Sequence, residues 1–170
     1  MNPRGEEGGG GGKTPTVAEG AEKRVVILDG VQLLRPAGGV LEKSSLRVVT
    51  KVMCRMDIIW LEFNPAAAQH LAVCGPRNCQ VLTFDSNNAL TNQLAVTLAL
   101  DDAEEHSTFV VKSAWLPGSE TCLAVLSNAF VKIFDLSEDS ICPNFFFTIP
   151  DAAAVDLTFA PARAKKGQAQ

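Results

Sequence analysis

Residues 113–140 read SAWLPGSETCLAVLSNAFVKIFDLSEDS, and this stretch decides the fold. It predicts three successive β-strands, because turn-forming residues at 117–120 and 127–128 separate short apolar runs. The side chains of the last strand alternate between two faces, with Val131, Ile133 and Asp135 on one and Phe130, Lys132 and Phe134 on the other. Aromatic and β-branched residues fit such a pleated surface, so the stretch is typical of a sheet.

The chain repeats itself at an interval of 52 residues. Two separate runs recur in the same order and with the same spacing between them. They are Phe63-Asn64-Pro65, which recurs as Trp115-Leu116-Pro117, and Leu71-Ala72-Val73, which recurs as Leu123-Ala124-Val125 (63 to 115, and 71 to 123). The recurrence indicates one structural unit used more than once.

Two further matches extend the repeat. Residues 81–85 match residues 131–135 at an offset of 50, which predicts a loop two residues shorter before the later run, and Phe159-Ala160-Pro161 begins a third copy. A repeat of 44 to 52 residues with four strands and no convincing helix is typical of a β-propeller blade. We therefore predict an all-β fold, a divergent WD-repeat-like β-propeller fragment with two nearly complete four-stranded blades and partial blades beside them.

The domain organisation follows from composition and from the repeat. The run Gly8 to Gly12 lies among residues too polar to form a core, and no strand precedes it and no helix follows it as a phosphate-binding loop would need. We predict a disordered Gly-rich leader at 1–23, blades over 24–161 and a polar tail at 162–170. Within the blades, the copies cover about 58–100 and 111–149, the third starts near 155, and residues 25–28 form a hairpin with 31–34.

Composition bounds the function classes. The 170 residues are 46% hydrophobic and 20% charged, with a net charge of −4, which argues against nucleic acid as a partner. Five cysteines are an odd number and lie mostly in apolar runs, which favours reduced, buried thiols in an intracellular protein. No apolar run approaches the length of a membrane span and no hydrophobic signal region begins the chain, so we expect no direct membrane insertion.

The motifs carry a family resemblance. Residues 131–136, Val-Lys-Ile-Phe-Asp-Leu, look like the end of a WD repeat with Phe134 in the Trp position, although the Gly-His pair usual near the start of such blades is missing. Together with the runs at 63–65, 71–73 and 115–119, they resemble the propeller region of the giant BIG/pushover/calossin family. Residues 79–83, 94–96 and 128–140 match as well, so the resemblance covers about 55–160.

The resemblance implies a piece of an N-recognin class of ubiquitin-protein ligase, known in plants for auxin transport. Members carry a zinc-binding UBR box and further Cys/His-rich modules, whereas this chain has two histidines and no dense Cys/His cluster. The resemblance therefore implies a scaffold piece without the modules that read N-degrons. It also implies a cytoplasmic location, with any membrane association made through a larger assembly.

Residues 40–56 are the most basic part of the chain. Lys43, Arg47, Lys51 and Arg55 are spaced four apart and would share one face of a helix, the pattern of a calmodulin target or a membrane-surface helix. The β-branched residues at 48–50 and 52 favour a strand instead, with Arg47, Lys51 and Arg55 on its outer face. Calmodulin, which the resemblance associates with the family, remains the alternative partner for this segment.

Two groups of residues could carry chemistry, and both patterns are weak. His70, Cys74 and Cys79 could be part of a zinc set, but structural zinc needs four ligands and no second pair is present. The loop at 101–107 holds the residue types of a hydrolase triad among Asp101, Asp102, Glu104, Glu105, His106 and Ser107. Six polar residues between two strands are more typical of a solvated loop. No metal, cofactor or catalytic residue is predicted.

We expect a non-catalytic scaffold that contacts protein partners through its loops. The alternatives are a truncated gene product without independent function and an enzyme with a cryptic site in the 101–107 loop. Asp85 and Asp135, in matching positions, are expected to anchor turns through side-chain hydrogen bonds. The predicted core consists of Ile59, Leu61, Phe63, Leu71, Val73, Val81, Trp115, Leu123, Val125, Val131, Ile133 and Phe159.

Overall fold

A computed structural model describes residues 23–28, 47–99, 108–150 and 153–160. These residues form ten β-strands and no helix, which confirms the all-β prediction. The described part of the chain thus lacks any helix long and apolar enough to cross a membrane. The strands are β1 (Lys23–Leu28), β2 (Val48–Cys54), β3 (Trp60–Phe63), β4 (His70–Cys74), β5 (Cys79–Phe84), β6 (Leu90–Val96), β7 (Val110–Trp115), β8 (Cys122–Ser127), β9 (Phe130–Asp135) and β10 (Phe145–Thr148).

A two-stranded antiparallel sheet comes first. β1 pairs with β2, with Val25 opposite Val52, and both of these side chains are buried. The strand begins at Lys23, one residue inside the predicted leader; the rest of the leader and the tail lie outside the described residues. The expected hairpin partner of β1 at 31–34 also lies outside them, and β2 is the partner that the structure describes.

The next four strands form an antiparallel meander, named here sheet one, with the order β3-β4-β5-β6. In one of its turns, a side chain accepts hydrogen bonds from backbone amides. Asp85 Oδ1 accepts hydrogen bonds from the amides of Asn87 and Ala89, both at 2.8 Å, and this confirms the predicted role of Asp85 as a turn anchor. At the β4–β5 turn, a Cβ on Gly75 would lie 2.6 Å from the carbonyl oxygen of Asp57, so this position requires glycine.

The last four strands form a second meander, sheet two, with the order β7-β8-β9-β10. Between β7 and β8, the Ser119 amide donates to the Leu116 carbonyl at 3.0 Å, and Gly118 has a φ of +77°. Pro117 before a glycine of positive φ is the sequence that a type II turn requires. Asp135 Oδ1 accepts from the amide and the hydroxyl of Ser137, so it anchors a turn as predicted.

Strand pairing corrects the alignment of the two repeats. Leu71 pairs with Leu82 in sheet one, and Leu123 pairs with Phe134 in sheet two, so both partners are displaced by 52 residues (71 to 123, and 82 to 134). By the strand bounds, the connection between the second and third strands has four residues in sheet one (75–78) and two in sheet two (128–129), as predicted. The residues matched at an offset of 50 are nevertheless two residues, one full strand period, away from those that the pairing makes equivalent, because the strands of sheet two extend one residue further into the turn.

The three sheets stack face to face. Leu71, Val73, Leu82 and Phe84 on one face of sheet one pack against Val25, Val52 and Cys54 of the two-stranded sheet. Ala72, Cys74, Cys79 and Val81 on its other face pack against Trp115, Leu123, Val125 and Phe134 of sheet two. We call the face that points to the preceding sheet the upstream face and the opposite one the downstream face. Sheet one is the middle layer, and strands of the other two sheets pack on both of its faces.

The burial of the predicted core is only partly as expected. Leu71, Val73, Val81, Trp115, Leu123 and Val125 are buried. Ile59, Leu61 and Phe63 are exposed, and Val131, Ile133 and Phe159 are only half-buried. On β9 the buried face is the other one, formed by Phe130, Lys132 and Phe134, because that is the face that meets sheet one.

Candidate functional site

The contact between sheet one and sheet two is where the two repeats meet, and Trp115 lies at its centre. β7 lies alongside β3 and β4. Trp115, at the end of β7, is 4% exposed, and its indole Nε1 donates to the backbone carbonyl of Glu62 at 3.1 Å. The ring also lies beside His70, with a centroid separation of 6.4 Å. A buried indole whose polar atom is satisfied contributes packing without a desolvation cost.

Asn64 joins the turns of the two sheets. Its Oδ1 accepts from the amides of Ala66 at 2.8 Å and Ala67 at 3.2 Å, which closes the turn after β3. Its Nδ2 donates to the carbonyls of Ser119 at 3.2 Å and Glu120 at 2.9 Å in sheet two. Asn64 is 1% exposed, so its amide group is buried, and its hydrogen bond with Ala67 is buried with it. Asn64 is not among the residues predicted to form a site, although an Asn-Pro pair at a predicted turn is a usable signal in the sequence.

Lys132 makes a third link from within β9. Its ammonium group donates to the carbonyls of Leu98 and Ala99, which follow β6. The same Nζ lies 4.6 Å from the ring centre of Phe130 and 5.3 Å from that of Phe146. A buried cation is tolerated where carbonyl oxygens and aromatic faces replace its water. The alternation placed Lys132 on the face with Phe130 and Phe134, but nothing in the sequence indicated that this face is buried.

A small cavity of about 160 Å³ opens between the sheets beside these contacts. His70, Thr83, Trp115 and Glu120 contribute to its lining, and His70 Nδ1 lies 3.2 Å from Thr83 Oγ1. Ligand pockets usually measure about 300–1,000 Å³, so this cavity is small for an organic substrate. The described residues line a gap in the packing between the two sheets.

Two thiols face each other in the same interface. Cys74 and Cys79 are directly opposite on β4 and β5, and their sulfurs are 3.3 Å apart. The hydrogen bond between them, together with burial, raises the pKa of Cys79 well above its ordinary value. The same hydrogen bond lowers the pKa of Cys74, because the thiol of Cys79 stabilises the Cys74 thiolate.

The three residues of the partial zinc set are not brought together. His70 and Cys74 occupy opposite ends of β4, and four residues of strand span about 13 Å. Among the described residues, no group of three or more His, Cys, Asp or Glu side chains could hold a metal ion. Cys74 and Cys79 are therefore a pair of thiols inside a core.

The basic residues lie in a strand. Arg47 precedes β2, Lys51 lies within it and Arg55 follows it, and all three are exposed, while Lys43 lies outside the described residues. The strand alternative is confirmed for 48–54, because Val52 and Cys54 alternate inward with Lys51 and Met53 outward. This finding does not test calmodulin binding, which stays a prediction. The loop at 101–107, which contains Asp102, His106 and Ser107, lies outside the described residues.

Comparison with known proteins gives the chain its family. No family model matches it. It is 36% identical over 148 residues to the auxin transport protein BIG of Oryza sativa, a match that covers 85% of the chain. It is 34% identical over 149 residues, 87% of the chain, to the protein purity of essence of Drosophila pseudoobscura. A probable E3 ubiquitin-protein ligase of Dictyostelium discoideum is 32% identical over 118 residues, 69% of the chain.

These relatives are much longer than the chain. It spans 3% of the length of the first two and 2% of the third, so what matches is a short segment of each. The matches nevertheless take in most of this sequence, at similar identity in a plant, an insect and an amoeba. The chain belongs, as a short segment, to the BIG family of proteins.

Proposed function

We propose that this chain is a non-catalytic scaffold segment of a BIG-like ubiquitin-protein ligase of the N-degron pathway, in which sheets one and two are consecutive WD-repeat-like blades of a β-propeller. The observation that carries the proposal is the way the sheets stack. Sheet one has another sheet packed on each of its faces, and sheet two has the same strand order and lies in the same orientation. Repetition of one sheet in one orientation is how propellers extend.

The orientation follows from equivalent residues. Leu71 and Val73 form the upstream face of sheet one, and their repeat partners Leu123 and Val125 form the upstream face of sheet two. The nearest approach between the two sheets involves their first strands, β3 and β7, as expected for blades arranged around an axis.

The downstream face of sheet two supports the presence of a further sheet in the full-length protein. Phe145 pairs with Ile133 and Phe147 with Val131, so these four side chains share that face. Phe145 is 60% exposed and Phe147 is 55% exposed. The equivalent face of sheet one is buried against sheet two. Two exposed phenylalanines on one face are a surface that binds another apolar face.

The scaffold role rests on the family and on the surface. A relative is named a probable E3 ubiquitin-protein ligase, and we extend that activity to the complete protein that contains this segment. The exposed turns at 85–89 and 117–118 would contact protein partners from the rim of the stack. We place this assembly in the cytoplasm, and any contact with membranes would be made through other parts of it.

The stacking proposal is tested with the isolated 170-residue chain. Because the described downstream face of sheet two exposes Phe145 and Phe147, we expect the chain to self-associate in sedimentation velocity experiments. The double substitution Phe145→Glu and Phe147→Glu should shift the chain toward monomer. The matched control is Ile141→Glu, since Ile141 is equally exposed but lies in the loop before β10, and it should not change the association. A wild-type chain that is a clean monomer with a sharp two-state melt would show that the propeller proposal is wrong.

A further inference from the structure

Cys74 and Cys79 occupy a special position in the β4–β5 hairpin. The amide of Gly75 donates to the carbonyl of Asn78 at 2.9 Å, so Gly75 and Asn78 are a hydrogen-bonded pair across the two strands. Hydrogen-bonded and non-hydrogen-bonded pairs alternate along an antiparallel ladder, which makes Cys74 and Cys79 a non-hydrogen-bonded pair. Side chains in such pairs are the closest that a sheet allows, and the two sulfurs are 3.3 Å apart.

We propose that Cys74 and Cys79 are a redox modification site that closes a reversible cross-strand disulfide when the protein meets a hydroperoxide. The backbone already has the required spacing. Opposed residues of this kind have Cα atoms about 4.5 Å apart, inside the range of about 4.4–6.8 Å that disulfides use. Closure therefore needs a small rotation of each side chain and no rearrangement of the strands.

The chemistry assigns a different role to each sulfur. The Cys74 thiolate attacks one oxygen of hydrogen peroxide, the O–O bond breaks, and the products are a sulfenic acid on Cys74 and hydroxide, which takes up the proton that Cys74 released. Cys79 then loses its proton and attacks the Cys74 sulfur, and the S–O bond breaks as the disulfide forms. The second hydroxide leaves as water with that proton. In total, two thiols are oxidised and one peroxide is reduced to two waters.

The first sulfur is chosen by its environment. The hydrogen bond with Cys79 lowers the pKa of Cys74, while Cys79 is held protonated, so Cys74 is the sulfur that supplies a thiolate. Both side chains are buried, at 0% and 2% exposure, but the exposed turn of Pro76, Arg77 and Asn78 lies directly beyond them. Opening of this hairpin end would admit an oxidant as small as hydrogen peroxide.

The second sheet carries an apolar pair at this position. The residues equivalent to Cys74 and Cys79 are Leu126 and Val131, which pair in the same register at the same place in sheet two. An ordinary apolar pair therefore fills the site in the other repeat. The thiol pair in sheet one therefore has a chemical property that the second repeat lacks.

The test uses the full chain and the position of Arg77. Trypsin cleaves after Arg77 and separates Cys74, in peptide 56–77, from Cys79, in peptide 78–112. The chain is treated with graded hydrogen peroxide, denatured with a maleimide present, digested and analysed by mass spectrometry. We expect a disulfide-linked 56–77/78–112 product, a fall in free thiols from five to three, and full reversal by a thiol reductant.

Matched variants separate this pair from general thiol oxidation. Cys79→Val copies Val131 of sheet two and should abolish the linked product. Cys79→Ser keeps a hydrogen-bonding group beside Cys74, so it should also abolish the link but leave Cys74 as a sulfenic acid that a dimedone probe captures. Cys54→Ser is the control, because Cys54 is buried but accepts a hydrogen bond from the Gln80 amide and should not affect the link. The proposal is overturned if Cys74 links to Cys122 or Cys142 instead, or if both stay thiols at peroxide levels that oxidise the exposed Cys142.

Discussion

The indole of Trp115 in sheet two donates a hydrogen bond of 3.1 Å to the backbone carbonyl of Glu62 in sheet one. This contact joins the last residue of β7 to β3, the first strand of the preceding sheet. Phe63, the repeat equivalent of Trp115, is 45% exposed, because the two-stranded sheet before it covers only part of its face. One repeat position is therefore central to a packed interface in one sheet and borders an open apolar groove in the other.

Replacing Trp115 tests this contact. Trp115→Ala should cost about 3–5 kcal/mol of unfolding free energy, because it opens a cavity at the centre of the interface. Trp115→Phe should cost less, since it keeps most of the apolar surface and loses a hydrogen bond worth about 1 kcal/mol. Guanidinium unfolding measures both. Phe63→Ala is the matched control at the same repeat position and should have a much smaller effect; equal losses at the two positions would contradict the described interface.

Removal of the Asn64 side chain should destabilise the pairing of the turns. Asn64→Ala removes four hydrogen bonds and leaves the buried amide of Ala67 without this partner, and an unsatisfied buried group costs about 1–3 kcal/mol. Asn64→Asp keeps the acceptor for the Ala66 amide but loses the two hydrogen bonds donated to sheet two. The stability lost in this variant therefore measures the contact between the sheets without the contribution of the local turn. Thermal melts of both variants give the comparison. Asn87→Ala, in an exposed turn, should melt like the wild type, and an Asn64→Ala variant of wild-type stability would refute this role.

Acid should weaken the turns that aspartates anchor. The hydroxyl of Ser137 lowers the pKa of Asp135, a backbone amide lowers that of Asp139, and Lys112 lowers that of Asp156. A carboxyl group whose pKa is lower in the folded state stabilises the fold above its unfolded pKa of about 3.9, and that contribution is lost as the pH falls through the folded value. We expect the melting temperature to decrease as the pH is lowered below about 4.

The variant Asp135→Asn isolates one of these groups. It keeps an oxygen acceptor for Ser137 but cannot titrate, so its melting temperature should decline less steeply than that of the wild type in acid. Melts recorded from pH 6 to about pH 2.5 compare the two slopes across the window in which aspartates titrate. Parallel curves would show that Asp135 does not contribute to the acid response.

The calmodulin hypothesis is testable with residues 43–56 as a peptide. In the protein, 48–54 form a strand that pairs with β1 and buries Val52, so a helical complex would have to break that pairing. We expect calcium-loaded calmodulin to bind the free peptide more tightly than the whole chain in calorimetric titration. A peptide with Lys51 and Arg55 changed to Glu is the control. Absence of binding by the unchanged peptide would end the hypothesis.

The enzyme alternative has its own test. Asp102→Ala combined with His106→Ala should leave the activities of the parent protein unchanged if the segment is a scaffold. Loss of an activity, with an unaltered melting temperature, would instead place a catalytic site in the 101–107 loop. Ubiquitin transfer by the full-length protein that contains the two substitutions is the measurement.

The sequence by itself determined the strand content and the repeat. Turn residues such as Pro117 and Gly118, and the recurrence of Leu71-Ala72-Val73 as Leu123-Ala124-Val125, are local signals that do not depend on which sheets meet. The turn roles of Asp85 and Asp135 were predictable for the same reason, since their partners lie within four residues. The family resemblance was likewise readable from the order and spacing of the repeated runs.

Only the tertiary structure decided which face of each strand is buried. An alternating strand has two faces, and on β9 both are apolar enough to be buried. The buried face is the one with Phe134 because sheet one packs against it. The same dependence makes Phe63 exposed and Trp115 buried at one repeat position. Asn64 and Lys132 link segments that are distant in sequence, and these links depend on how the sheets stack. Cys74 lies opposite Cys79 because of the register of the two strands in their hairpin. No local sequence pattern specifies either.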